Sequence, residues 1–313
     1  MTSTIPLLVL CPLPPPYLAQ IAAAYDVIHA PDAALRAQAI AAHGMRVRAV
    51  LTIGPIGLTG AEIAALPALE LVCALGAGYE QIDVAAARAR GIVVANGAGT
   101  NDDCVADHAF GLLITAVRGI VQLDRACRDG VWRDQIPDYA PSVSGKRIGI
   151  LGYGLIGQKI ARRAGGFDMT VGYHSRHRRV NAAHAWFDSP LALARWCDFL
   201  VVATPGGAGT RHLVNEAVLE AIGPQGALVN IARGSVVDTQ ALARVLRERR
   251  LGAAGIDVYE SEPRRPEELI TLPNIVLTPH VAGRSPEAVQ ATITRFLANM
   301  QAHFAGRPVL SPV

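Results

Sequence analysis

Three side chains with complementary chemistry follow apolar runs in the second half of the chain. Arg233 lies in N-I-A-R-G-S, Glu262 in G-I-D-V-Y-E-S-E-P and His280 in T-P-H-V-A-G. The planar guanidinium of an arginine binds a carboxylate through two parallel hydrogen bonds. A carboxylate beside an imidazole favours the charged ring and so raises the imidazole pKa toward values useful for proton donation near neutrality. We interpret the three residues as a candidate catalytic group.

Each of these residues also has a structural explanation when it is taken alone. Arg233 fits an ion pair at a helix start, Glu262 a loop charge before a proline, and His280 a turn histidine. A cation, an acid and a histidine that follow strands of one predicted sheet, in a chain with a cofactor motif, favour the catalytic interpretation.

The cofactor motif is R-I-G-I-L-G-Y-G-L-I-G, in which Gly152, Gly154 and Gly157 have the spacing G-x-G-x-x-G. The apolar run before the first glycine predicts a buried strand, and the spaced apolar residues that follow predict an amphipathic helix. In this context the glycines permit a tight turn, the approach of a pyrophosphate to the helix N-terminus, and contact between helix and strand. A chance glycine turn is the alternative in a chain with 30 glycines, and the flanking pattern disfavours it.

The residues about twenty positions beyond this turn predict which dinucleotide binds, because an NAD site needs an acidic side chain there. The predicted strand Thr170–Tyr173 ends instead in H-S-R-H-R-R, with Ser175, Arg176 and Arg178 in this region. A hydroxyl and guanidinium groups suit a 2′-phosphate. The loop therefore predicts NADPH/NADP+, with NADH bound more weakly. A solvated basic loop that tolerates either cofactor is the alternative.

The candidate catalytic and cofactor-binding residues are far apart in the sequence, and they can lie close together only if a sheet places the ends of their strands side by side. At 313 residues the chain favours two domains, and it alternates strand and helix patterns. This predicts an α/β fold with two doubly wound parallel-sheet domains, a Rossmann dinucleotide-binding domain and a flavodoxin-like substrate domain. The helix pattern at Pro286–Phe304 is predicted to return to the first domain, which gives a discontinuous substrate domain, residues 1–100 and 285–313, around an NAD(P)-binding domain, residues 101–284. The predicted strands are Leu7–Leu10, Val27–Ile28, Val47–Leu51, Leu71–Leu75, Ile92–Val94, Ile148–Leu151, Thr170–Tyr173, Phe199–Ala203, Ala227–Ile231, Ala253–Asp257 and Ile275–Thr278.

Three connecting segments contribute further expectations. The glycine turn Ala74–Asp83 follows a predicted strand and is either a ligand site or a plain connection. The helical pattern Asp102–Arg128, interrupted by Gly119, is predicted to link the domains. The loop Gly130–Gly145, which carries Trp132, is either a surface wrap or an oligomer contact.

Composition disfavours several functional classes. The chain is 51% hydrophobic and 18% charged, with a net charge of +3, which is typical of a compact globule rather than a nucleic-acid binder. No apolar segment is long enough to cross a bilayer, and no Cys/His cluster has metal-site spacing. The apolar stretch Ile5–Leu13 lacks a basic segment and contains prolines, which favours a strand and turn over a signal sequence. We therefore expect cytoplasmic residence, no metal, and neither nucleic acid nor membrane as a partner.

Six stretches, in their order and spacing, make the chain similar to the D-isomer-specific 2-hydroxyacid dehydrogenase family along nearly its whole length. They are L-G-A-G-Y-E-Q-I-D, N-D-D-C-V-A-D-H-A, G-K-R-I-G-I-L-G-Y-G-L-I-G, V-N-I-A-R-G-S-V-V-D, G-I-D-V-Y-E-S-E-P and L-T-P-H-V-A-G. Within the family the chain looks most like the NADPH-dependent glyoxylate/hydroxypyruvate reductases.

The resemblance implies a catalytic triad of Arg233, Glu262 and His280 that acts on a 2-oxo acid between the domains. It implies that the arginine binds the substrate carboxylate and carbonyl oxygen, that the nicotinamide delivers hydride, and that the histidine, kept charged by the glutamate, protonates the alkoxide. The substrate-binding turn that it assigns comprises Leu75, Gly76, Ala77 and Gly78. The cofactor residues that it adds to the glycine turn and the basic loop are Val105, Leu155, Ile156, Ala203, Thr204, Pro205, Ile231, Ala232, Arg233, Asp257, His280 and Gly283.

The predicted reaction is reduction of glyoxylate or hydroxypyruvate to the D-2-hydroxy acid, because no basic cluster beside Gly76–Gly78 demands a phosphorylated substrate. Reduction of 2-ketogluconate or another 2-oxo acid is one alternative. A dinucleotide-sensing, corepressor-like interaction protein is the alternative of another class, and the lack of tails beyond the first strand and last helix disfavours it. Relatives form homodimers, so we expect a homodimer through Asp102–Arg128 and the Trp132 loop.

Overall fold

The computed structural model describes residues 4–136 and 139–313. The part of the predicted Gly130–Gly145 loop at Pro137 and Asp138 lies outside the described residues. The chain divides into two compact units, one formed by the residues up to Asn101 together with Gly283–Val313, and the other by Asp102–Ala282.

The first unit is built on a parallel sheet. Its elements up to Asn101 are β1 Pro6–Val9, α1 Pro15–Ala22, β2 Asp26–His29, α2 Ala33–His43, β3 Ala49–Ile53, α3 Gly60–Ala64, β4 Leu71–Leu75, α4 Val84–Ala89 and β5 Val93–Ala95. Within the described residues the sheet has five strands in the order β2-β1-β3-β4-β5, which is the flavodoxin-like order. Apolar clusters cover both faces of the sheet. Side chains of Asp32, Thr59 and Asp83 accept backbone hydrogen bonds at the starts of α2, α3 and α4, which explains where these helices begin.

The second unit is built on a larger parallel sheet. Its elements are α5 Asp102–Arg118, α6 Ile120–Arg128, β6 Arg147–Leu151, α7 Leu155–Gly165, β7 Thr170–His174, β8 Ala185–Phe187, α8 Pro190–Trp196, β9 Phe199–Val202, α9 Glu216–Ile222, β10 Ala227–Asn230, α10 Thr239–Arg247, β11 Ala253–Ile256 and β12 Ile275–Leu277. In the described part of the chain the strand order is β12-β11-β10-β9-β6-β7-β8, the Rossmann order extended by β12. The last helix, α11 Pro286–Phe304, belongs to the first unit. The two sheets confirm the predicted fold class.

Two features of the second unit differ from the sequence predictions. The strand β8 was not predicted, because three residues at the edge of a sheet carry too short a pattern to recognise. The helical pattern Asp102–Arg128 is two helices rather than one, since Gly119 has a φ of +62° and the axes bend by 61°. No single helix of the described residues is long and apolar enough to cross a membrane. The helices α5 and α6 have the necessary length and composition only when they are taken together, and they are bent relative to each other.

Candidate active site

Two side chains of the second unit form a hydrogen-bonded acid–histidine pair. Nδ1 of His280 lies 2.8 Å from Oε2 of Glu262, and Oε1 of Glu262 accepts a hydrogen bond from the backbone amide of Tyr259 at 2.7 Å. Partial burial raises the pKa of the Glu262 carboxyl, but the bonds from His280 and Tyr259 and the charges of His280 and Arg233 outweigh this effect and keep that pKa below its usual value. Glu262 is therefore ionised near neutrality.

His280 lies in a turn that a buried carboxylate stabilises. Its φ of +53° is in the left-handed region, which is uncommon for a residue other than glycine. Asp257 is 1% exposed. Its carboxylate accepts hydrogen bonds from the amides of Val281 at 2.9 Å and Ala282 at 3.0 Å and from the hydroxyl of Thr278 at 2.6 Å. The carbonyl oxygen of Asp257 also accepts a bond from the His280 amide at 2.8 Å. Asp257 thus positions His280, and its predicted role in cofactor binding stays a prediction.

Arg233 follows β10 in a segment that packs closely on the segment bearing Glu262. A Cβ atom on Gly234 would lie 2.0 Å from the carbonyl carbon of Tyr259, so only glycine permits this approach. Asn230, which is 1% exposed, donates a hydrogen bond to the carbonyl oxygen of Arg233 at 3.1 Å. The charge of Arg233 acts on the Glu262 carboxyl. The structure therefore brings the three predicted catalytic residues together within one unit.

Sequence reasoning missed several residues that support this site. The hydroxyl of Tyr259 shares its one proton between the carbonyl oxygens of Ile256 at 2.9 Å and Thr278 at 2.8 Å, which connects the ends of β11 and β12. Nε2 of His108, on α5, lies 2.9 Å from Oγ1 of Thr278. Asn230 and Gly234 stand next to the recognised motif residues, but only their long-range contacts reveal what they do.

The glycine turn fits a pyrophosphate. Gly154 is the residue that precedes α7, no side chain caps this helix, and a Cβ atom on Gly154 would meet nothing within 4 Å. A helix N-terminus with no side-chain cap and open space beside its first residue suits an anion. Gly152 has a φ of +101°, and a Cβ there would lie 2.6 Å from the amide nitrogen of Thr204. A Cβ on Gly157 would lie 2.2 Å from the carbonyl oxygen of Gly152.

The other predicted cofactor residues of the second unit have different exposures. Leu155 is 57% exposed at the first position of α7. Ala203 and Thr204, which are partly buried, lie against Gly152. The remaining members are the exposed Pro205, the partly buried Ile156, and the buried Val105, Ile231 and Ala232.

The loop after β7 lies next to the glycine turn and exposes its arginines. The amide of Gly152 donates to the carbonyl oxygen of His174 at 2.9 Å, so the end of β7 and the turn are in contact. Ser175 is partly buried, whereas Arg176 and Arg178 are exposed. The loop therefore presents a hydroxyl-bearing residue and two guanidinium groups at the strand end where adenosine ribose recognition occurs in this fold.

One buried and one partly buried aromatic residue, Tyr173 and Trp186, shape the same loop. The hydroxyl of Tyr173, which is fully buried, accepts a hydrogen bond from the Arg179 amide at 2.9 Å. Trp186 donates its indole proton to the carbonyl oxygen of Ser175 at 3.2 Å. The hydroxyl of Ser175 donates to the carbonyl oxygen of His177 at 2.7 Å. These three bonds give the basic loop a defined path.

The predicted substrate-binding turn belongs to the first unit. Leu75 ends β4, and Gly76, with a φ of +79°, begins the turn. Nδ2 of Asn96 donates to the carbonyl oxygen of Ala77 at 2.9 Å. Within residues 4–136 and 139–313 the amides of Ala77 and Gly78 donate no hydrogen bond, so both remain available to a ligand. Gly283 also belongs to the first unit, where a Cβ would lie 2.5 Å from Nδ2 of Asn101.

A Rossmann unit with a glycine turn, an acid–histidine pair and an arginine at its strand ends defines a dinucleotide-dependent oxidoreductase. Residues 110–282 match the family described as D-isomer specific 2-hydroxyacid dehydrogenase, NAD binding domain. The chain belongs to this family, whose members act on the CH–OH group of 2-hydroxy acids.

Relatives with curated names agree with this assignment. A hydroxyphenylpyruvate reductase of Plectranthus scutellarioides is 39% identical over 85% of each chain. A glyoxylate/hydroxypyruvate reductase of Arabidopsis thaliana is 39% identical over 87% of each chain. The solved structure of an NADPH-dependent glyoxylate/hydroxypyruvate reductase of Sinorhizobium meliloti, in complex with NADP and malonate, has a TM-score of 0.91 and 34% identity, and it covers 99% of this chain and 97% of its own. The comparisons confirm the predicted family and the general reaction, reduction of a 2-oxo acid.

Proposed function

We propose that the protein reduces a small 2-oxo acid with NADPH, glyoxylate to glycolate or hydroxypyruvate to the D-2-hydroxy acid, and that His280 is the proton donor. The observation that carries this proposal is the 2.8 Å bond between Nδ1 of His280 and Oε2 of Glu262. With Nδ1 bonded to the carboxylate, Nε2 is the nitrogen from which a proton goes to the substrate oxygen.

Each residue of the proposed triad has a separate task. The bound dinucleotide supplies the hydride. Arg233 binds the substrate through charge-assisted hydrogen bonds and draws electron density toward the carbonyl oxygen. His280 protonates that oxygen as negative charge develops on it. Glu262 stabilises the imidazolium and orients the ring, and Asp257 fixes the turn on which the histidine lies.

The preference for NADPH rests on the loop after β7. Arg176, which follows Ser175 directly, and Arg178, two residues further on, are both exposed at the ribose end of the proposed site. Guanidinium groups form strong bonds to a phosphate, and the sequence His174–Arg179 contains no carboxylate for the ribose hydroxyls of NADH. NADH is therefore proposed to bind more weakly.

The substrate proposal rests on chemistry and on similarity. The free amides of Ala77 and Gly78 suit a carboxylate. Relatives at 39% identity are named for glyoxylate, hydroxypyruvate or hydroxyphenylpyruvate, all of them 2-oxo acids. A 2-ketogluconate reductase is the alternative within the same reaction.

The proposal includes a homodimer built on the helical segment Asp102–Arg128, which comprises α5 and α6, and on the loop that carries Trp132. The apolar side chains of Ile120 and Leu123 on α6 are 44% and 39% exposed, and Trp132 is 66% exposed. Exposed apolar side chains that are close in sequence favour contact with a second copy.

Initial rates with glyoxylate, hydroxypyruvate and 2-ketogluconate, each with NADPH and NADH, test the proposed function. We expect the highest kcat/KM for glyoxylate or hydroxypyruvate with NADPH, and D-glycerate as the product of hydroxypyruvate. Faster turnover of 2-ketogluconate would favour the alternative, and no turnover of any of the three would contradict the proposal.

A further inference from the structure

We propose that Asn96 and Ser311 position the Gly76–Gly78 turn, so that the C-terminal tail, residues 310–313, sets the affinity of the enzyme for its 2-oxo acid. This inference rests on the proposed binding of the substrate carboxylate by that turn. It concerns contacts within the first unit only.

The turn is bonded from the segment that follows β5. Nδ2 of Asn96 donates to the carbonyl oxygen of Ala77 at 2.9 Å, and the amide of Gly97 donates to the carbonyl oxygen of Gly76 at 2.6 Å. A Cβ atom on Gly97 would lie 2.7 Å from the amide nitrogen of Gly76, so the two segments are in backbone contact. Two successive carbonyl groups of the turn are thus bound from the same segment.

Binding these carbonyl groups fixes the direction of the amides that face a ligand. The carbonyl of Gly76 shares a peptide plane with the amide of Ala77, and the carbonyl of Ala77 shares one with the amide of Gly78. Across a trans peptide the C=O and N–H bonds point in opposite directions. Asn96 and Gly97 therefore hold both carbonyls on one side, which presents both free amides on the other side, ready for a carboxylate.

The tail in turn holds Asn96 on both sides of its backbone. The amide of Asn96 donates to the carbonyl oxygen of Ser311 at 3.1 Å, and the hydroxyl of Ser311 donates to the carbonyl oxygen of Asn96 at 2.5 Å. The antiparallel bridge between Ala95 and Pro312, and the bond from the Val313 amide to the Val94 carbonyl at 3.0 Å, add the tail to the edge strand β5.

A buried asparagine of α11 fixes the tail. Asn299 is 1% exposed; its Nδ2 donates to Oγ of Ser311 at 3.1 Å, and its Oδ1 accepts a bond from the Leu310 amide at 2.8 Å. A continuous series of hydrogen bonds thus runs from Asn299 through Ser311 and Asn96 to Ala77. A buried polar group that is left without its partner destabilises the fold, so the neighbouring groups rearrange to bind it. A change in the tail is therefore transmitted to the turn.

The first variants to test are Asn96→Asp and Ser311→Ala. Asn96→Asp removes the donor to the Ala77 carbonyl and places a negative charge behind the turn, so we expect the KM for glyoxylate to rise about tenfold or more. Ser311→Ala, which keeps the backbone bonds of the tail, is expected to raise it about threefold. In both variants kcat changes less than KM, and the Kd of NADPH stays near that of the unaltered chain.

Two further variants separate positioning from general destabilisation. Ser311→Thr retains a hydroxyl and is expected to restore the KM. Leu310→Ala is the matched control, because this side chain is 56% exposed and the Leu310 amide that binds Asn299 is retained. We expect wild-type KM in both.

The outcomes distinguish this inference from the proposed function. If the unaltered chain turns over a 2-oxo acid and the variants Asn96→Asp and Ser311→Ala have the same KM as that chain, this inference is wrong and the proposed function stands. Parallel changes in KM and in the Kd of NADPH, which would indicate a structural defect only, would also overturn this inference. No turnover of any 2-oxo acid by the unaltered chain would overturn the proposed function and this inference with it. If Asn96→Asp does not fold, Ser311→Ala and its threonine counterpart decide the question.

Discussion

Gly234 and Tyr259 are in backbone contact, since a Cβ atom on Gly234 would lie 2.0 Å from the carbonyl carbon of Tyr259. Gly234 follows Arg233 directly, and the amide of Tyr259 binds the carboxylate of Glu262. The spacing between the arginine segment and the glutamate segment is thus set by a residue that has no side chain.

Gly234→Ala tests this relationship. The atoms that a methyl group would meet are backbone atoms, which cannot rotate away, so the two segments must separate. Because small misplacements of catalytic groups are costly, we expect kcat/KM to fall about a hundredfold. Gly209→Ala is the control, since a Cβ there would meet nothing within 4 Å, and it should leave kcat/KM unchanged. Wild-type kcat/KM in Gly234→Ala would show that the contact does not set the catalytic geometry.

The second prediction concerns the proton donor. His280→Ala is expected to lower kcat by about 10² to 10⁴, the usual contribution of a general acid. The Kd of NADPH, measured by fluorescence titration, should change little, because the glycine turn and the basic loop are untouched. A variant that keeps its rate would rule out His280 as the donor.

The lowered pKa of Glu262 gives a pH prediction with a definite sign. A carboxyl whose pKa is lower in the folded chain stabilises the fold above its unfolded pKa, and that contribution is lost as the pH falls through the folded pKa. Glu262→Gln should therefore be less stable than the unaltered chain near neutrality, and the difference should shrink in acid. Its kcat should also be lower than that of the unaltered chain, because the ring of His280 has lost the carboxylate that orients it. Urea unfolding across pH and kcat near neutrality measure the two effects, and a variant with the stability profile and the kcat of the unaltered chain would contradict the assigned pairing.

Sequence patterns predicted most of the fold because buried parallel strands are continuous apolar runs, as in Phe199–Val202. They failed at Ala185–Phe187, where a three-residue edge strand has no recognisable period. The side chains proposed as catalytic could be singled out because each lies in a segment that follows a predicted strand. The supporting residues could not be predicted, because they act through contacts with residues distant in sequence: Gly234 contacts Tyr259, and Asn96 binds Ala77 of the glycine turn. Those partners become apparent only when the strands are assembled.

Tyr173 should contribute to cofactor preference without contacting solvent. Tyr173→Phe keeps the ring and removes the hydroxyl that accepts the Arg179 amide. The basic loop then loses one of its bonds, and we expect the NADPH-to-NADH ratio of kcat/KM to fall about two- to tenfold. Tyr25→Phe, in the first unit, is the matched control. An unchanged ratio would mean that the loop keeps its path without this bond.

The proposed homodimer can be tested with a matched pair of surface substitutions. Leu123 on α6 and Leu35 on α2 are 39% and 43% exposed. A charge in an apolar interface is costly, so Leu123→Glu should shift the chain to monomer in sedimentation experiments, whereas Leu35→Glu should not. An unaltered chain that sediments as a monomer at micromolar concentration would contradict the proposal.

The last prediction is that two substitutions in the loop after β7 reverse the cofactor preference. Ser175→Asp supplies the carboxylate that the ribose hydroxyls of NADH require and repels a 2′-phosphate, and Arg176→Ala removes a charge-assisted bond to that phosphate. Together they should weaken NADPH by a few kcal/mol, while NADH binds more tightly. Arg195→Ala, which removes an exposed arginine of the same unit, is the control and should leave both affinities unchanged. Titration of each dinucleotide into the unaltered and substituted chains measures the effect. If the unaltered chain binds NADH more tightly than NADPH, Ser175 and Arg176 do not form a 2′-phosphate site.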